Sequence, residues 1–293
     1  MAYYTLKNNQ FVAAFKSRGA ELCSFHDNNG TEYIWQADEQ HWGRHAPLLF
    51  PFVGKLKGDQ FTFEDNTYQQ TKHGFARNLS FTATEATEHT VKFVLTHNEE
   101  TLAVYPFQFT LEVTYRLNQN QLQVSYRVSN EDNKTMYFSI GGHPAINCPI
   151  VPNTNFHDYY IEFQRTETLA RYFIEEGLQT GESKEIVTER KSLNLSYGYF
   201  EQDAIIFKDM HSEQVSLSHP ILGKVVTLNF SGFPYLGIWT KPNAPFICLE
   251  PWLGLADHQN STGDLRVKEG IQQLEAGKDF NAAYSLTFHP VQR

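Results

Sequence analysis

Apolar and polar residues alternate along much of this chain, and the alternation predicts β-strands with one buried face. The clearest example is the segment TLEVTYRL, residues 110–117, in which every second side chain is apolar. The segment QLQVSYRV, residues 121–128, repeats the pattern after a polar NQNQ turn. Two alternating segments joined by a short polar turn predict a β-hairpin.

Similar segments recur from one end of the chain to the other and favour an all-β fold with few short helices. Only residues 17–26 and 267–275 have a pattern compatible with a helical turn or two. Residues 165–196 form the most polar stretch and are predicted to be long surface loops. Many strands separated by turn residues are typical of a sandwich or barrel. The further predicted strands are VKFVLTH (91–97), YYIEFQ (159–164), DAIIFK (203–208), KVVTLNF (224–230) and YLGIWT (235–240).

Composition fits one large domain without a nucleic-acid or membrane partner. The 293 residues are 41% hydrophobic and include 23 Phe and 15 Tyr, enough to bury a large core, so we predict a single domain over residues 1–293. The formal net charge of -9 offers no basic surface to nucleic acid or to an anionic membrane. Neither is therefore expected as a partner.

The cysteines and the amino terminus indicate a reducing compartment. Cys23, Cys148 and Cys248 are too few and too far apart for a disulfide framework, and no CxxC pair indicates structural zinc. The amino-terminal segment lacks the features of a secretory signal, and the apolar stretch 46–53 is too short to cross a bilayer. We expect a cytoplasmic protein that is a monomer or a homodimer.

Three ionisable residues stand among glycines, prolines and aromatic residues: Glu250 in ICLEPWLG, His143 in SIGGHPAIN and His73 in KHGFAR. Apolar neighbours should raise the pKa of Glu250 and make it a better base near neutrality, although a structural glutamate paired with an arginine would have the same surroundings. His143 follows two glycines, which allow close approach to a ligand, and an imidazole there can donate a proton near pH 7. A core histidine bonded to a carbonyl group also fits this pattern. One carboxylate and two imidazoles suit proton transfer on a small neutral molecule.

Motifs for other chemistries are missing from the sequence. His41 and His45 are four residues apart, as metal ligands on a helix would be, but Gly43 and Pro47 disfavour a helix and no HExxH motif follows. There is no GxSxG nucleophile motif, no Walker A loop and no GxGxxG fingerprint. We therefore expect neither a metal nor an organic cofactor.

Six segments occur in a characteristic order: LLFPFVGKLKGDQF, HGFAR, YPFQFTLEVTYRL, SIGGHPAIN, DAIIF and ICLEPWLG. In this order the chain resembles the aldose 1-epimerase, or galactose mutarotase, family, and most closely its LacX-type branch. The resemblance extends from about residue 11 to residue 288. It implies a β-supersandwich with an open sugar-binding cleft and no cofactor.

The resemblance also implies roles for individual residues. Glu250 matches the general base, His143 the general acid and His73 a histidine that orients the sugar, while Asp203 matches a carboxylate that hydrogen-bonds sugar hydroxyls. Lys55 falls where typical mutarotases carry an arginine; the positive charge is kept but the bidentate geometry is lost. Two tryptophans offer surfaces on which a sugar can stack, although a core role is the usual one for this residue type: Trp239 and Trp252.

The expected activity is interconversion of the α and β anomers of a hexose by acid–base ring opening, and three alternatives remain. A hexose 6-phosphate is the first, because Arg44, Lys55, Lys72 and Arg77 offer positive charge for a phosphate, although Arg77 also fits a salt bridge that supports the His73 loop. A non-catalytic carbohydrate-binding protein is the second. The third is a glycosidase, which requires two carboxylates on either side of one bond.

Overall fold

The computed structural model describes residues 2–291 and is all-β, as the alternating pattern predicts. The one α-helix of these residues, α1, is Glu99–Val104, and five short 3-10 helices lie in connections. The strands are β1 (Tyr3–Lys7), β2 (Phe11–Lys16), β3 (Glu21–Asp27), β4 (Leu48–Leu49), β5 (Gln60–Phe63), β6 (Asn66–Gln69), β7 (Thr82–Ala86), β8 (Thr90–Thr96), β9 (Phe109–Asn118), β10 (Gln121–Asn130), β11 (Met136–Phe138), β12 (Ile140–Gly142), β13 (Ala145–Asn147), β14 (Tyr160–Glu175), β15 (Leu178–Asn194), β16 (Ile205–Phe207), β17 (Gln214–His219), β18 (Gly223–Asn229), β19 (Tyr235–Trp239), β20 (Phe246–Leu253), β21 (Gln272–Leu274) and β22 (Asp279–Phe288). The 3-10 helices are Lys57–Asp59, Ala76–Asn78, Phe156–Asp158, Tyr197–Phe200 and Leu265–Val267.

One large antiparallel sheet organises the molecule. Its main path runs β4-β12-β20-β19-β16-β14-β17-β18-β22-β10-β9-β8-β7, and β13 and β15 pair with β20 and β14 beside this path. A second sheet, β1-β2-β3, packs against the first through stacked aromatic side chains. The rings of Phe25 and Phe288 stack at 3.6 Å, and those of Phe15 and Tyr115 lie 4.5 Å apart. Aromatic residues on the inner faces of both sheets therefore fill the core of a sandwich.

The predicted hairpin at residues 110–128 is confirmed. Strands β9 and β10 pair from Asn118 with Gln121 to Phe109 with Asn130. Leu111 and Val113 are buried on β9, and Leu122 and Val124 are buried on β10, so the alternation marks the face that meets the core.

The prediction of long surface loops over residues 165–196 is wrong. These residues belong to β14 and β15, which form a long hairpin with several register shifts. Most of its side chains beyond residue 164 are exposed or half-buried, so the segment lacks the apolar alternation by which a strand is recognised. Backbone pairing holds this hairpin together, and only a few of its apolar side chains, among them Leu169 and Val187, are buried in the core.

The two segments with weak helical patterns form no α-helix. Residues 21–27 are strand β3, and residues 267–275 contain the end of a 3-10 turn and strand β21. Within residues 2–291, no helix is long and apolar enough to cross a membrane.

Candidate active site

A cleft of about 580 Å³ brings five of the predicted site residues together. Glu250, His143, His73, Asp203 and Arg77 all line it. Lys55 and Arg44 are not among its lining residues. The other residues that line the cleft are His41, Trp42, Gly54, Lys72, Ile174, Gly177, Ala204, Ile206, Trp239, Lys241, Trp252 and Ala256.

Glu250 lies in the middle of β20, a strand whose residues are all buried. It pairs with Gly237 of β19, and its side chain is 1% exposed. This burial removes the carboxylate from water, which disfavours the charged form and raises the pKa of Glu250 well above its usual range. Among the described residues, no donor is aligned to form a hydrogen bond with its Oε2 atom.

His143 follows β12, whose two glycines allow the backbone to lie close to its neighbours. A Cβ atom on Gly141 would come within 2.8 Å of the Trp252 ring, and one on Gly142 within 2.5 Å of the Tyr284 hydroxyl. Because only glycine fits at both positions, β12 can pack closely against β20, and His143, the next residue, lies beside β20. The indole ring of Trp42 stacks on the imidazole, with ring centroids 4.9 Å apart.

His143 and Glu250 form a buried acid–base pair. The Nε2 atom of His143 lies 3.2 Å from Oε2 of Glu250. Burial lowers the pKa of His143 to about 3, because the cationic form loses its solvation. With the pKa of Glu250 raised and that of His143 lowered, the pair keeps a single proton over a wide pH range, and the directions of the two shifts place that proton on Glu250. One partner can then give a proton while the other accepts one.

His73 faces the same cleft as a neutral hydrogen-bond donor. Its Nδ1 accepts a hydrogen bond from the Gly54 backbone amide at 3.1 Å, so the ring proton lies on Nε2. Burial, with further contributions from nearby cationic groups, lowers the pKa of His73 well below its usual value. The residue that follows, Gly74, has φ of 69°, and a Cβ there would lie 2.4 Å from the Phe50 carbonyl oxygen. Only glycine fits this turn, which sets the direction of His73.

Positively charged side chains also line the cleft. The Lys72 ammonium lies 3.7 Å from Asp203 Oδ2, while Lys241 donates a hydrogen bond to the His41 carbonyl at 3.1 Å. Arg77 donates to the Lys72 carbonyl, and its Nε is buried without a partner. Burial and then the adjacent charge of Arg44 lower the pKa of Arg77 to about 10. These cationic groups favour an electron-rich or anionic ligand group in the cleft.

Lys55 and Arg44 lie beside the cleft rather than in its lining. The Lys55 ammonium donates to the Glu176 carbonyl at 3.3 Å, at the tip of the β14–β15 hairpin. Arg44 donates to the side chain of Asn78 at 3.0 Å. Each touches the cleft through a neighbour, since Glu176 precedes Gly177 and Arg44 adjoins Arg77.

The hairpin tip is further tied to the loop after β20. The Gln179 backbone amide donates to the Asp257 carbonyl at 2.8 Å, and the Gln179 side chain donates to the Ala256 carbonyl at 2.7 Å. Asp257 also forms a buried ion pair with Lys268, with 2.8 Å between nitrogen and oxygen. These contacts fix the rim of the cleft, to which Gly177 and Ala256 contribute.

Three residues at the site were missed by sequence reasoning. Trp42 stands between His41 and His45, a segment considered only for metal spacing, and it covers one face of His143. Lys241 follows a strand and has no distinguishing pattern. Cys248 lies two residues before Glu250 on the same strand, but its approach to His143 depends on chain pairing that is not visible in the sequence.

The two tryptophans singled out from the sequence differ in exposure. Trp239 is half-buried, and its ring lies 5.7 Å from that of His143 in an edge-on arrangement. Trp252 is 5% exposed and packs over Gly141 and Gly237, where added Cβ atoms would collide with its ring. Trp239 is thus the better placed of the two for contact with a ligand.

Comparisons with known sequences point to one family. Residues 3–255 match the family model described as aldose 1-epimerase. Two curated proteins of Lactococcus lactis subsp. lactis, the plasmid and the chromosomal forms of Protein LacX, are each 39% identical to this chain over 292 residues. The alignment covers 96% of this chain and 98% of each relative.

Comparisons with solved structures point the same way. A galactose mutarotase related enzyme from Lactobacillus acidophilus superposes with a TM-score of 0.95 at 36% identity, covering 99% of this chain and 98% of its own. A galactose mutarotase-like protein from Lactobacillus casei superposes with a TM-score of 0.93 at 35% identity, covering 98% of this chain and 100% of its own. The β-supersandwich predicted from the sequence is confirmed.

Proposed function

Because this chain belongs to the aldose 1-epimerase family, we propose that it interconverts the α and β anomers of a hexose through ring opening and closure. The observation that carries the proposal is the pairing of His143 and Glu250, buried side by side at 3.2 Å on the wall of a cleft of sugar size. The anomeric hydroxyl and the ring oxygen of a hexose are bonded to the same carbon. An acid and a base that act on both must therefore lie close together.

Ring opening requires two proton transfers. Glu250 removes the proton of the C1 hydroxyl while His143 protonates the ring oxygen, and the open aldehyde forms. Rotation about the C1–C2 bond presents the other face of the carbonyl, and the two side chains exchange roles as the ring closes. No other reactant is consumed.

If Glu250 is the base and His143 the acid, the proton that they share must lie on His143 when the sugar is bound. Nε2 of His143 and Oε2 of Glu250 lie 3.2 Å apart, and a small rotation of either side chain would align them for transfer of the proton from Glu250 to His143. The positive charge of Lys72 lowers the pKa of Glu250 and so favours its ionised form. Sugar hydroxyls that enter the cleft add hydrogen bonds to the carboxylate, which act in the same direction.

Neighbouring residues orient the sugar. His73 presents its Nε2 proton to a hydroxyl, and the Asp203 carboxylate accepts hydrogen bonds from others. Trp239 offers a ring to an apolar C–H face. These contacts hold C1 against the acid–base pair. Such positioning supplies much of the rate acceleration that an acid and a base can give.

Polarimetry tests the proposal directly. Freshly dissolved α-glucose or α-galactose should reach its equilibrium rotation faster when the protein is present than in buffer alone. A panel of disaccharides, followed by assay of reducing sugar, separates epimerisation from hydrolysis. Binding without any acceleration would support a carbohydrate-binding protein instead, and release of a reducing sugar would support a glycosidase.

The cationic residues of the cleft favour a second candidate, mutarotation of a hexose 6-phosphate. The cleft is lined by Lys72, Arg77 and Lys241, and no carboxylate forms a salt bridge with Arg77 among the described residues. A guanidinium group with free donors suits a phosphate.

Arg77→Ala distinguishes the two substrates. If a phosphate is bound, the variant should raise KM for the 6-phosphate about tenfold or more, the cost of about one charge-assisted hydrogen bond, and change KM for the free hexose little. The matched control is Arg116→Ala, which removes an exposed arginine of β9 that does not line the cleft. Equal effects of Arg77→Ala on both sugars would reject the phosphate contact.

The pH profile follows from the two opposite pKa shifts. The active pair carries one proton, so activity should fall at low pH only when the second proton binds, near the lowered pKa of His143 of about 3. At high pH it should fall when the single proton is lost, above the usual pKa of a glutamate. Values of kcat/KM should be measured after the spontaneous reaction is subtracted. On the acid side they should decline only well below about pH 6.5, the pKa of an ordinary histidine. An acid limb at that ordinary value would contradict the buried pair.

A further inference from the structure

A third reactive side chain lies against the acid–base pair. Cys248 and Glu250 are two residues apart on β20, so their side chains leave the strand on the same face. One ligand atom each of His143, Cys248 and Glu250 lies within 4.8 Å of the other two. All three residues are buried, and Cys248 is 0% exposed.

The donor atoms of this cluster are not saturated by hydrogen bonds. Oε2 of Glu250 lies 3.2 Å from Nε2 of His143, yet no donor among the described residues is aligned to form a hydrogen bond with it. Buried polar atoms are normally paired, and three donor atoms within 4.8 Å of one another suit a ligand that accepts several lone pairs at once. A metal cation is such a ligand, whereas a sugar hydroxyl satisfies one or two atoms at a time.

We propose that Cys248, His143 and Glu250 bind a single thiophilic divalent cation, with Zn²⁺ as the best match, and that this cation switches off the acid–base pair. A thiolate, an imidazole and a carboxylate are donors that Zn²⁺ accepts together, and two of the three residues, His143 and Glu250, line the cleft from which a cation would enter. Zinc bonds of roughly 2.0–2.3 Å require the three side chains to close in on the cation by about an ångström. All three reach it from backbone segments that are already paired: β20 and the turn after β12.

Inhibition follows from the lone pairs that the cation occupies. Once Glu250 and His143 are ligands, neither can accept or donate a proton at C1. A thiol binds a metal cation only after it loses its proton, so binding should strengthen as pH rises. The inhibitory part of the inference rests on the proposed epimerase function, whereas the metal site itself does not.

Cobalt provides a direct readout that does not depend on activity. Co²⁺ added to the reduced protein should bind with one equivalent and give thiolate-to-cobalt charge-transfer absorption in the near ultraviolet, and Zn²⁺ should abolish the absorption by competition. Cys248→Ala should lose this band. Cys148→Ala, which removes another fully buried thiol outside the cluster, should keep it. Cys248→Ser provides a second variant of nearly equal volume, should the alanine variant not fold.

The same variants test whether Zn²⁺ inhibits the enzyme activity. Zn²⁺ should inhibit epimerisation by the wild-type protein and by Cys148→Ala, and at least tenfold more Zn²⁺ should be needed to inhibit Cys248→Ala. A wild-type protein without the cobalt band, or a band that persists in both Cys248 variants, would overturn the metal site. If the band follows Cys248 but the wild-type protein accelerates no anomer exchange, the metal site stands and the proposed function fails.

Discussion

Glu250→Gln is expected to lower the rate constant for anomer exchange by roughly 10²–10⁴, the usual contribution of one positioned acid or base. Glutamine keeps the shape of the side chain but cannot exchange a proton with His143. Because the buried carboxyl group of Glu250 holds the pair's proton, it is already uncharged, and the neutral amide should cost little stability. Polarimetric rates and a denaturant titration on the same preparation separate these two effects.

Glu167→Gln provides the matched control for this variant. Glu167 is also a buried glutamate, 8% exposed on β14, and it accepts a hydrogen bond from the His211 amide rather than lining the cleft. Its variant should lose some stability and keep the wild-type rate. If Glu250→Gln also kept the wild-type rate, the assignment of Glu250 as the base would be refuted.

His143→Asn should cause a loss of similar size, roughly 10²–10⁴ in the rate constant, because the ring oxygen loses its proton donor. Asparagine retains a polar group beside Glu250 but has no group that titrates. The double variant should be hardly slower than the slower single variant, since the two side chains act as a unit. Losses that multiply fully in the double variant would show that the residues act independently.

His219→Asn tests whether the loss is specific to the site. His219 is a buried histidine at the end of β17, and its Nδ1 accepts hydrogen bonds from the amides of Ile221 and Leu222. It does not line the cleft. Its variant is expected to unfold at lower denaturant concentration but to retain its rate per folded molecule.

The alternation of apolar and polar residues was sufficient to predict those strands that turn one face to the core. The β9–β10 hairpin is the best example, because each apolar position of its alternation is a buried position. The first part of β14 was predicted from YYIEFQ, but the rest of the β14–β15 hairpin escaped prediction because most of its side chains remain in contact with water. A polar composition indicates exposure but does not distinguish an exposed strand from a loop.

The same distinction applies to the site. Local sequence features were enough to single out His143, which follows Gly141 and Gly142, and Glu250, which has apolar neighbours. The fold then brings Nε2 of His143 to 3.2 Å from Oε2 of Glu250. The approach of Cys248 to His143 was not foreseen, because it arises from pairing between segments about a hundred residues apart. Lys55 carries the charge expected at its position, but the fold directs that charge to a carbonyl of the hairpin tip.

The contacts made by Lys55 and Gln179 at that tip have a kinetic consequence. Hydrogen bonds from Lys55 and Gln179 to backbone carbonyl groups already fix this part of the cleft rim. We therefore expect a sugar to bind without a separate step in which a loop closes. Rapid-mixing traces should then show one binding phase whose observed rate rises linearly with sugar concentration, as expected for a preorganised receptor.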